Sequence, residues 1–510
     1  MDPLAYNILL SMLAFIFLFF ALNRSKSLNV LPQIKLFLVT LSSLSPNLDQ
    51  NFHDKIAEIL ERSKRTIHID QYSWFTGTKI LVTSDPANVR HVMSTKFSNY
   101  PKGLKWREKI DVLGDTLFSV DLEEWEKERR LVRSFTGHQK FHQMTKIVWD
   151  RIETGLIPVL EHVSKQGLVV DLQDLFQKHI LDIAWMMSIG YNPKSLGIEF
   201  QKDQFSKALE DACEAAFSRY LMPDSFWKLQ RWLGIGNEKK LKDAWETIDR
   251  VFAESISKKQ EESTKGMTSK EDQEGFNFEG YYYLTGQDQA FGSAPTRKGL
   301  RDNVISLIFA TQDTTSSVLT WFFWIVSKHP SVEGKIRDEI LKISKGKQEV
   351  NKTPFQPQEL NKLVYLHAAL CETLRLFPPG PVLSRTSLQP DTLPSGHRID
   401  RNTNVLIAVH AMGRMTSVWG EDCHEFKPER WITDEGEIKH VPHYQFPVFS
   451  AGPRICLGKE LAFTMMKATA ATIIHNYNIQ IQKDYPVKPM NSVVFHMKHG
   501  LMARISDRWT

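Results

Sequence analysis

The loop at residues 449–458 is the feature that most restricts how this chain can fold. It places Cys456 between Gly452 and Gly458, directly ahead of residues 459–477, whose apolar spacing predicts a helix. A metal-binding thiolate must be deprotonated, shielded from water and held in one orientation. The helix dipole favours negative charge on the sulfur, and the glycines allow a tight turn and the close approach of a flat ligand. The loop therefore predicts a metal-binding thiolate; the alternative is a small buried cysteine beside a turn.

The length of 510 residues allows either several domains or one large fold that encloses a cofactor. With 42% apolar and 24% charged residues, the composition is that of a globular protein. A net charge of +5 is too small for this length to indicate nucleic-acid binding, although a local basic patch for an acidic protein partner stays open. The four cysteines lie far apart and form no CxxC pair, which suits a reducing compartment.

The start of the chain predicts a membrane anchor. Residues 4–22 are almost wholly apolar, which is about the length needed to cross a bilayer. Asp2 precedes this run and Arg24 and Lys26 follow it, the reverse of the charge order in a cleaved signal peptide. The positive-inside tendency then leaves the bulk of the chain in the cytosol. We expect a retained transmembrane anchor at residues 1–26, with a cleaved signal peptide as the alternative.

The apolar spacing also predicts the elements that follow. We expect a helix at residues 50–64, strands at 66–82, mostly helices at 85–254, an exposed loop at 255–280, strands at 382–387 and 404–409, and a last amphipathic helix at 459–477. Residues 300–328 predict a long helix with Asp313 and several hydroxyl side chains at its centre. Because such a centre would cost several kcal/mol in a bilayer, we expect this helix to cross a soluble domain instead.

The cysteine loop resembles the haem-binding signature of cytochromes P450, Phe-x-x-Gly-x-Arg-x-Cys-x-Gly, at every fixed position. The resemblance implies a mainly α fold with a smaller β-containing lobe, and one haem b (iron protoporphyrin IX) between the long central helix and the loop. It implies these roles in the loop: Cys456 as the proximal iron ligand, Phe449 as a cover over the sulfur, Arg454 as a partner of a haem propionate, and Gly452 and Gly458 at the turn.

A charged motif upstream of the loop carries the same resemblance. Glu372 and Arg375 are three residues apart, so they can pair on one helix face. In the family, such a pair forms a buried triad with a later arginine that supports the cysteine loop, and here that arginine is Arg430. The arrangement is physically reasonable because a buried carboxylate without a partner would be costly.

Two further positions resemble the family's partners of the haem propionates. Trp125 and Arg129 lie four residues apart on a predicted helix face, although an isolated WxxxR motif would be an ordinary solvated helix. Arg385 follows a proline-rich turn and is similar to another propionate partner.

Residues 310–315 (ATQDTT) resemble the oxygen-activation segment of the family, Ala/Gly-Gly-x-Asp/Glu-Thr-Thr/Ser. An acid followed by an alcohol can relay the protons that break the O–O bond, and the resemblance assigns this catalytic role to Asp313 and Thr314. The alternative is that these hydroxyls only bond back to helix carbonyls. Thr311 stands where the pattern has Gly, and its β-branched side chain leaves the reaction type open.

Several segments look like the plant branch of the family that hydroxylates long alkanes and fatty acids. They are residues 99–103, 170–174, 319–324, 393–397 and 498–501. Some relatives in that branch instead couple phenols in alkaloid synthesis. The resemblance implies a hydrophobic small-molecule substrate, with four candidate lining residues: Phe309, Thr311, Val382 and Val493.

The resemblance also implies partners and a location. Dioxygen is the co-substrate, and electrons come from NADPH through a separate NADPH–cytochrome P450 reductase, since the chain has no Gly-rich dinucleotide fingerprint. We expect a single-pass protein of the endoplasmic reticulum membrane, with a linker and first helix at residues 27–65 and a cytosolic catalytic domain at residues 66–510. Only Pro32 and Pro46 stand where the family has a proline-rich hinge.

Two alternatives to this function stay open at the level of sequence. The first is a haem enzyme with different chemistry, namely phenol coupling or the rearrangement of a peroxide without a reductase, which Thr311 motivates. The second is a haem-binding membrane protein without catalysis, against which the presence of both Asp313 and Thr314 argues.

Overall fold

The computed structural model describes residues 52–69, 79–198, 203–264, 296–344 and 355–509. The expected membrane anchor and most of the expected linker lie outside these ranges.

Helices dominate the described chain. They are α1 (Phe52–Arg62), α2 (Pro86–Arg90), α3 (Leu104–Lys109), α4 (Leu122–Phe135), α5 (His138–Arg151), α6 (Ile157–Gln166), α7 (Leu172–Ile189), α8 (Gln204–Leu221), α9 (Asp224–Leu233), α10 (Gly236–Thr264), α11 (Arg297–Ser327), α12 (Pro330–Ile343), α13 (Pro357–Asn361), α14 (Val364–Leu376), α15 (Val409–Met412), α16 (Thr416–Trp419) and α17 (Lys459–Asn476). The long central helix expected from the sequence is α11, and the helix after the cysteine is α17.

The strands form three small sheets. They are β1 (Thr66–His68), β2 (Ile80–Thr83), β3 (Val169–Asp171), β4 (Leu383–Thr386), β5 (Asp391–Thr392), β6 (Arg398–Ile399), β7 (Asn404–Ile407), β8 (Tyr477–Ile481) and β9 (Met502–Asp507). The largest sheet has the order β1-β2-β7-β4, in which only β2 and β7 are parallel. This sheet packs with α1 into a lobe that has its own apolar cluster. The expected mainly α fold with a smaller β-containing lobe is confirmed.

Helix α11 runs through the main hydrophobic core. It is 31 residues long, and most of its side chains are buried. Against it packs α7, where the rings of Phe176 and Phe323 stack with centroids 5.4 Å apart. Since both helices are buried around most of their circumference, α11 is held rigidly in the interior.

The prediction of an exposed loop at residues 255–280 is partly wrong. The sequence predicts an exposed loop from residue 255, but α10 continues as a helix to Thr264. The segment is rich in Lys, Glu and Gln, which favour a helix even where no apolar face requires one. Ser255 is still buried on this helix, and residues 265–280 of the expected loop lie outside the described ranges.

No helix within the five described ranges is both long enough and apolar enough to cross a membrane. Most side chains of helix α11 are buried within the protein, as its polar centre predicts. The apolar residues 4–22 are not among the described residues.

Candidate functional site

The cysteine loop is a tight turn between two short 3-10 helices and α17. The Cys456 N–H donates to the Phe449 carbonyl over 2.8 Å, which closes the turn. Gly452 has φ +66°, and a Cβ there would lie 1.9 Å from the Met93 carbonyl oxygen. Any other residue at this position would therefore push the loop off the segment that includes Met93. The Phe449 ring packs on Phe463 of α17, with centroids 5.4 Å apart.

Cys456 faces a recess inside the protein. Its side chain is accessible to solvent, yet burial raises the pKa of its thiol. The two observations agree only if the accessible surface belongs to an interior space. The Gly458 N–H, Arg129 and Lys459 act in the opposite direction and favour the thiolate. These groups supply the positive field that a metal-binding sulfur needs.

A cluster of cations lies beside this loop. The Arg454 guanidinium lies 4.7 Å from the centre of the Trp125 ring, and that of Arg129 lies 5.7 Å from it. Arg129 also donates to the Ile455 carbonyl over 2.9 Å, next to the cysteine. The structure thus brings Trp125, Arg129 and Arg454 together, the three residues expected to contact haem propionates, and that role stays a prediction.

Arg385 and Lys102 complete the cluster, which has more positive than negative charge. Burial and the nearby Arg454 lower the pKa of Arg385 to about 9. Burial, Arg385 and Arg454 together lower the pKa of Lys102. The carboxylate that faces the cluster is Asp121, whose Oδ1 lies 2.5 Å from Arg454 Nη2.

Several N–H groups of this cluster have no partner. Within the described part of the chain, Arg385 Nε and Arg454 Nε and Nη1 are buried without a hydrogen-bond acceptor. Unpaired buried donors of charged groups are costly, so the cluster is built for a further anion. A flat cofactor with carboxylate side groups, bound over Cys456, fits these residues.

Glu372 is the centre of a buried network next to the loop. Its two oxygens accept hydrogen bonds from Arg375 over 2.7 and 2.8 Å. Trp431 Nε1 donates to it over 2.8 Å, the Lys427 N–H over 3.0 Å and Arg430 Nε over 3.4 Å. The structure therefore brings the three expected members of the triad together. Arg375 and Arg430 also bind backbone carbonyls at residues 419–425, which fixes the segment ahead of the loop.

One face of α11 is partly exposed although the helix lies in the core. Leu307, Ala310, Thr311 and Thr314 are neither buried nor fully exposed, while most of their neighbours along the helix are buried. Their spacing of three, one and three residues puts them on a single helix face. This face therefore borders an interior space, and it includes the expected alcohol, Thr314, and the departure from the family pattern, Thr311.

The hydroxyl of Thr314 donates to the Ala310 carbonyl over 2.7 Å. This is the back-bond to the helix that the alternative interpretation expects. This bond uses the only hydrogen of the Thr314 hydroxyl, and the hydroxyl oxygen can still accept a hydrogen bond from another group. The geometry is therefore compatible with a structural role and with a role as a proton relay.

Asp313 points away from that face into a buried polar group that the sequence did not predict. Its Oδ2 lies 3.7 Å from the Nε2 of His496, and the Cys213 thiol donates to the same oxygen over 3.7 Å. Both ring nitrogens of His496 and the Oδ1 of Asp313 are buried without a hydrogen bond among the described residues. Burial would lower the pKa of His496, but Asp313 and Glu210 outweigh burial and raise it.

An apolar cavity of about 150 Å³ lies between the β-containing lobe and helices α3, α8 and α9. Val382 and Val493 are among the residues that line it, whereas the described lining residues include neither Phe309 nor Thr311. Phe309 instead packs, partly buried, against the main core.

Four residues of the site had no role predicted from the sequence: Lys102, Asp121, Cys213 and His496. Lys102 lies in the segment 99–103 that resembles the plant branch, and the other three belong to no motif. Each contacts its partner across a long stretch of chain. The available signal was weak: Asp121 stands where a helix N-cap is expected, next to the WxxxR helix.

Comparison with known proteins identifies the family. The family model described as Cytochrome P450 matches residues 46–502. The chain is 39% identical over 460 residues to alkane hydroxylase MAH1 of Arabidopsis thaliana, covering 89% of each protein. It is 36% identical over 512 residues to cytochrome P450 86B1 of the same plant, covering 98% of this chain and 90% of that protein. It is 36% identical over 442 residues to noroxomaritidine synthase 2 of Narcissus aff. pseudonarcissus MK-2014, covering 85% of this chain and 84% of that protein.

The chain therefore belongs to the cytochrome P450 family and is a monooxygenase, an oxidoreductase that uses a haem iron. The fit of the residues around Cys456 to a flat anionic cofactor agrees with this class. The alternative of a haem-binding protein without catalysis is set aside, because the relatives are named as hydroxylases and synthases.

We predict that Glu372→Gln lowers the free energy of unfolding by about 3–5 kcal/mol, because it leaves the fully buried guanidinium group of Arg375 without its counter-charge, whereas Arg430 keeps its ion pair with Asp422. The exposed Glu429→Gln breaks a surface pair with Lys335 and should cost at most about 1 kcal/mol. Urea denaturation followed by circular dichroism measures both values. Equal stabilities of the two variants would contradict the assigned role of Glu372.

Proposed function

We propose that this monooxygenase hydroxylates a long-chain alkane or fatty acid, with dioxygen and with electrons that a separate reductase delivers from NADPH. The observation that carries the proposal is a mostly apolar cavity in a protein that also presents Cys456 to an interior recess. The similarity to an alkane hydroxylase over most of the chain supports the substrate class.

In this proposal, Cys456 would ligate the iron of haem b, and the cysteine loop and the partly exposed face of α11 would hold the cofactor. Phe449 covers the sulfur from the side of α17, and Gly452 and Gly458 keep the loop compact. A haem bound in this way would supply the chemistry that cleaves the O–O bond, because a thiolate ligand donates electron density to the iron. The unpaired N–H groups of Arg385 and Arg454 would donate hydrogen bonds to the propionates, with Trp125 and Arg129 beside them.

Asp313 and Thr314 are proposed to move protons to the recess. Thr314 lies on the partly exposed face of α11, which in this proposal borders the recess, and the preceding residue, Asp313, lies on the buried side. A carboxylate in contact with His496 has a nearby source of protons. Proton delivery from the buried side of α11 would keep bulk water out of the recess.

The N-terminal part of the proposal concerns location. We infer a transmembrane anchor at residues 1–26 of an endoplasmic reticulum protein, with a linker and first helix at 27–65 and a cytosolic catalytic domain at 66–510. The apolar residues 4–22 with Arg24 and Lys26 after them support this orientation. The family match begins at residue 46, ahead of the inferred domain boundary.

A second candidate function is the oxidative coupling of a phenol. The similarity to noroxomaritidine synthase 2 and the presence of Thr311 on the exposed face of α11 favour it. Thr311 adds a second hydroxyl near Thr314, where it could bind a polar substrate group. A third possibility, the rearrangement of a peroxide, needs no reductase.

We predict opposite effects of Arg385→Leu on the two forms of the protein. Without haem, loss of a buried cation from a positively charged cluster should raise the thermal midpoint. With haem, loss of a charge-assisted hydrogen bond should speed the transfer of haem to apomyoglobin by about tenfold or more. The exposed Arg398→Leu is the control. Equal haem transfer from Arg385→Leu and the unmodified protein would contradict contact between Arg385 and a propionate.

The substrate class is tested with the full chain, a plant reductase and NADPH. We predict that hexadecane or hexadecanoate yields one hydroxylated product per NADPH oxidised, because the cavity is apolar. A phenolic probe should give no product. Coupled phenol dimers with no hydroxylated alkane or fatty acid would favour the second candidate, and product from a lipid hydroperoxide without NADPH would favour the third.

A further inference from the structure

The apolar cavity contains a charged pair at one wall. Among its described lining residues, Lys109 at the end of α3 and Asp224 at the start of α9 carry full charges. His53 also lines the cavity, but burial lowers its pKa well below the ordinary value, so it is neutral. Phe52 and Ile56 of α1 and Ile80 and Val82 of β2 form an apolar part of the lining, the apolar wall. Ser384, Asn404 and Ser492 also line the cavity and are uncharged. The cavity therefore has one charged pair in a mostly apolar lining.

The ammonium group of Lys109 makes only weak interactions with the rest of the protein. Its Nζ lies 3.6 Å from Asp224 Oδ1, which is longer than a hydrogen bond. It lies 4.8 Å from the centre of the Tyr220 ring, and its side chain is 13% exposed. No described residue accepts a hydrogen bond shorter than 3.5 Å from this ammonium group, which has three donors.

Asp224 cannot balance this charge alone, because it is shared. Its Oδ2 lies 3.6 Å from the Nζ of Lys105, and Trp227 Nε1 donates to its Oδ1 over 3.3 Å. Two ammonium groups thus face one carboxylate. The neighbouring Lys228 is paired with Glu108 at 3.1 Å. Of these two ammonium groups, that of Lys109 is the one that lines the mostly apolar cavity.

We propose that Lys109 binds the carboxylate of a long-chain fatty acid, whose tail lies along the apolar wall, so that the enzyme prefers fatty acids to alkanes of equal length. The inference rests on the proposed substrate class and narrows it. A carboxylate would take the free donors of Lys109 in charge-assisted hydrogen bonds, whereas an alkane would leave them unpaired.

The competing explanation is purely structural: Lys109 would only join α3 to α9 through Asp224. Lys105 provides a matched control for this explanation. It lies on the same helix and at the same distance from Asp224, but its side chain is half exposed and it is not among the residues that line the cavity. If only a link to Asp224 matters, loss of either lysine should have the same effect.

The test is equilibrium binding to the haem-loaded full chain, followed by the spectral shift that substrate causes. The probes are hexadecanoate, hexadecanol and hexadecane. Lys109→Met should reduce the preference for hexadecanoate over hexadecane by about 10- to 100-fold. Lys109→Arg should restore most of the preference, and Lys105→Met should keep it.

The unmodified protein gives a second readout that does not depend on folding of a variant. Burial is the main cause that lowers the pKa of Lys109, with Lys105 and Arg219 acting in the same direction and Asp224 against them. The cation is present below this pKa and is lost as the pH rises through it. Binding of hexadecanoate should therefore weaken at alkaline pH, below the ordinary lysine value of about 10.4, while binding of hexadecanol should not change.

The outcomes separate the inference from the proposed function. If the probes bind but Lys109→Met keeps the preference, or Lys105→Met loses it equally, the role of Lys109 is overturned and the substrate class stands. A pH-independent preference for hexadecanoate would also overturn it. If none of the three probes binds, the proposed substrate class fails, and the inference fails with it.

Discussion

Uncompensated positive charge beside Cys456 is the constraint on which the rest of the site depends. Lys102, Arg385 and Arg454 come from three distant parts of the chain, and the carboxylate that faces them among the described residues is Asp121. Such a cluster opposes folding unless an anion joins it. Binding of a dianionic cofactor there would stabilise the folded state, since any ligand of the native state does so. The Glu372 network then holds the cysteine loop against that cluster.

Helix α11 separates two environments that the proposed chemistry needs. Its partly exposed face, with Thr311 and Thr314, borders the interior space. Its buried side carries Asp313, which faces His496. The backbone of Phe495, next to His496, accepts hydrogen bonds from Ser317 and Trp321, one and two turns after Asp313. The C-terminal segment is thereby fixed against the helix, which keeps the acid and the alcohol on defined sides.

The features that could be predicted from the sequence depend on residues that are close together in the chain. The cysteine loop, the pairing of Glu372 with Arg375 and the extent of α11 follow from spacing within a few residues, and the structure contains all three. The partner of Asp313 and the charge at Lys109 could not be predicted, because they depend on how distant segments pack. The end of α10 was misjudged because a solvated helix and a loop have the same polar composition. The roles of the haem and substrate residues stay predictions.

Ligation of iron by Cys456 can be measured in the absorption spectrum of the reduced, haem-loaded protein with carbon monoxide. We expect the red-shifted Soret band of a thiolate ligand, and its loss in Cys456→Ser, because no other described cysteine faces a solvent-accessible recess. A Soret band at the position typical of a histidine-ligated haem in the unmodified protein, or the red-shifted band persisting in Cys456→Ser, would contradict the assignment of Cys456 as the iron ligand.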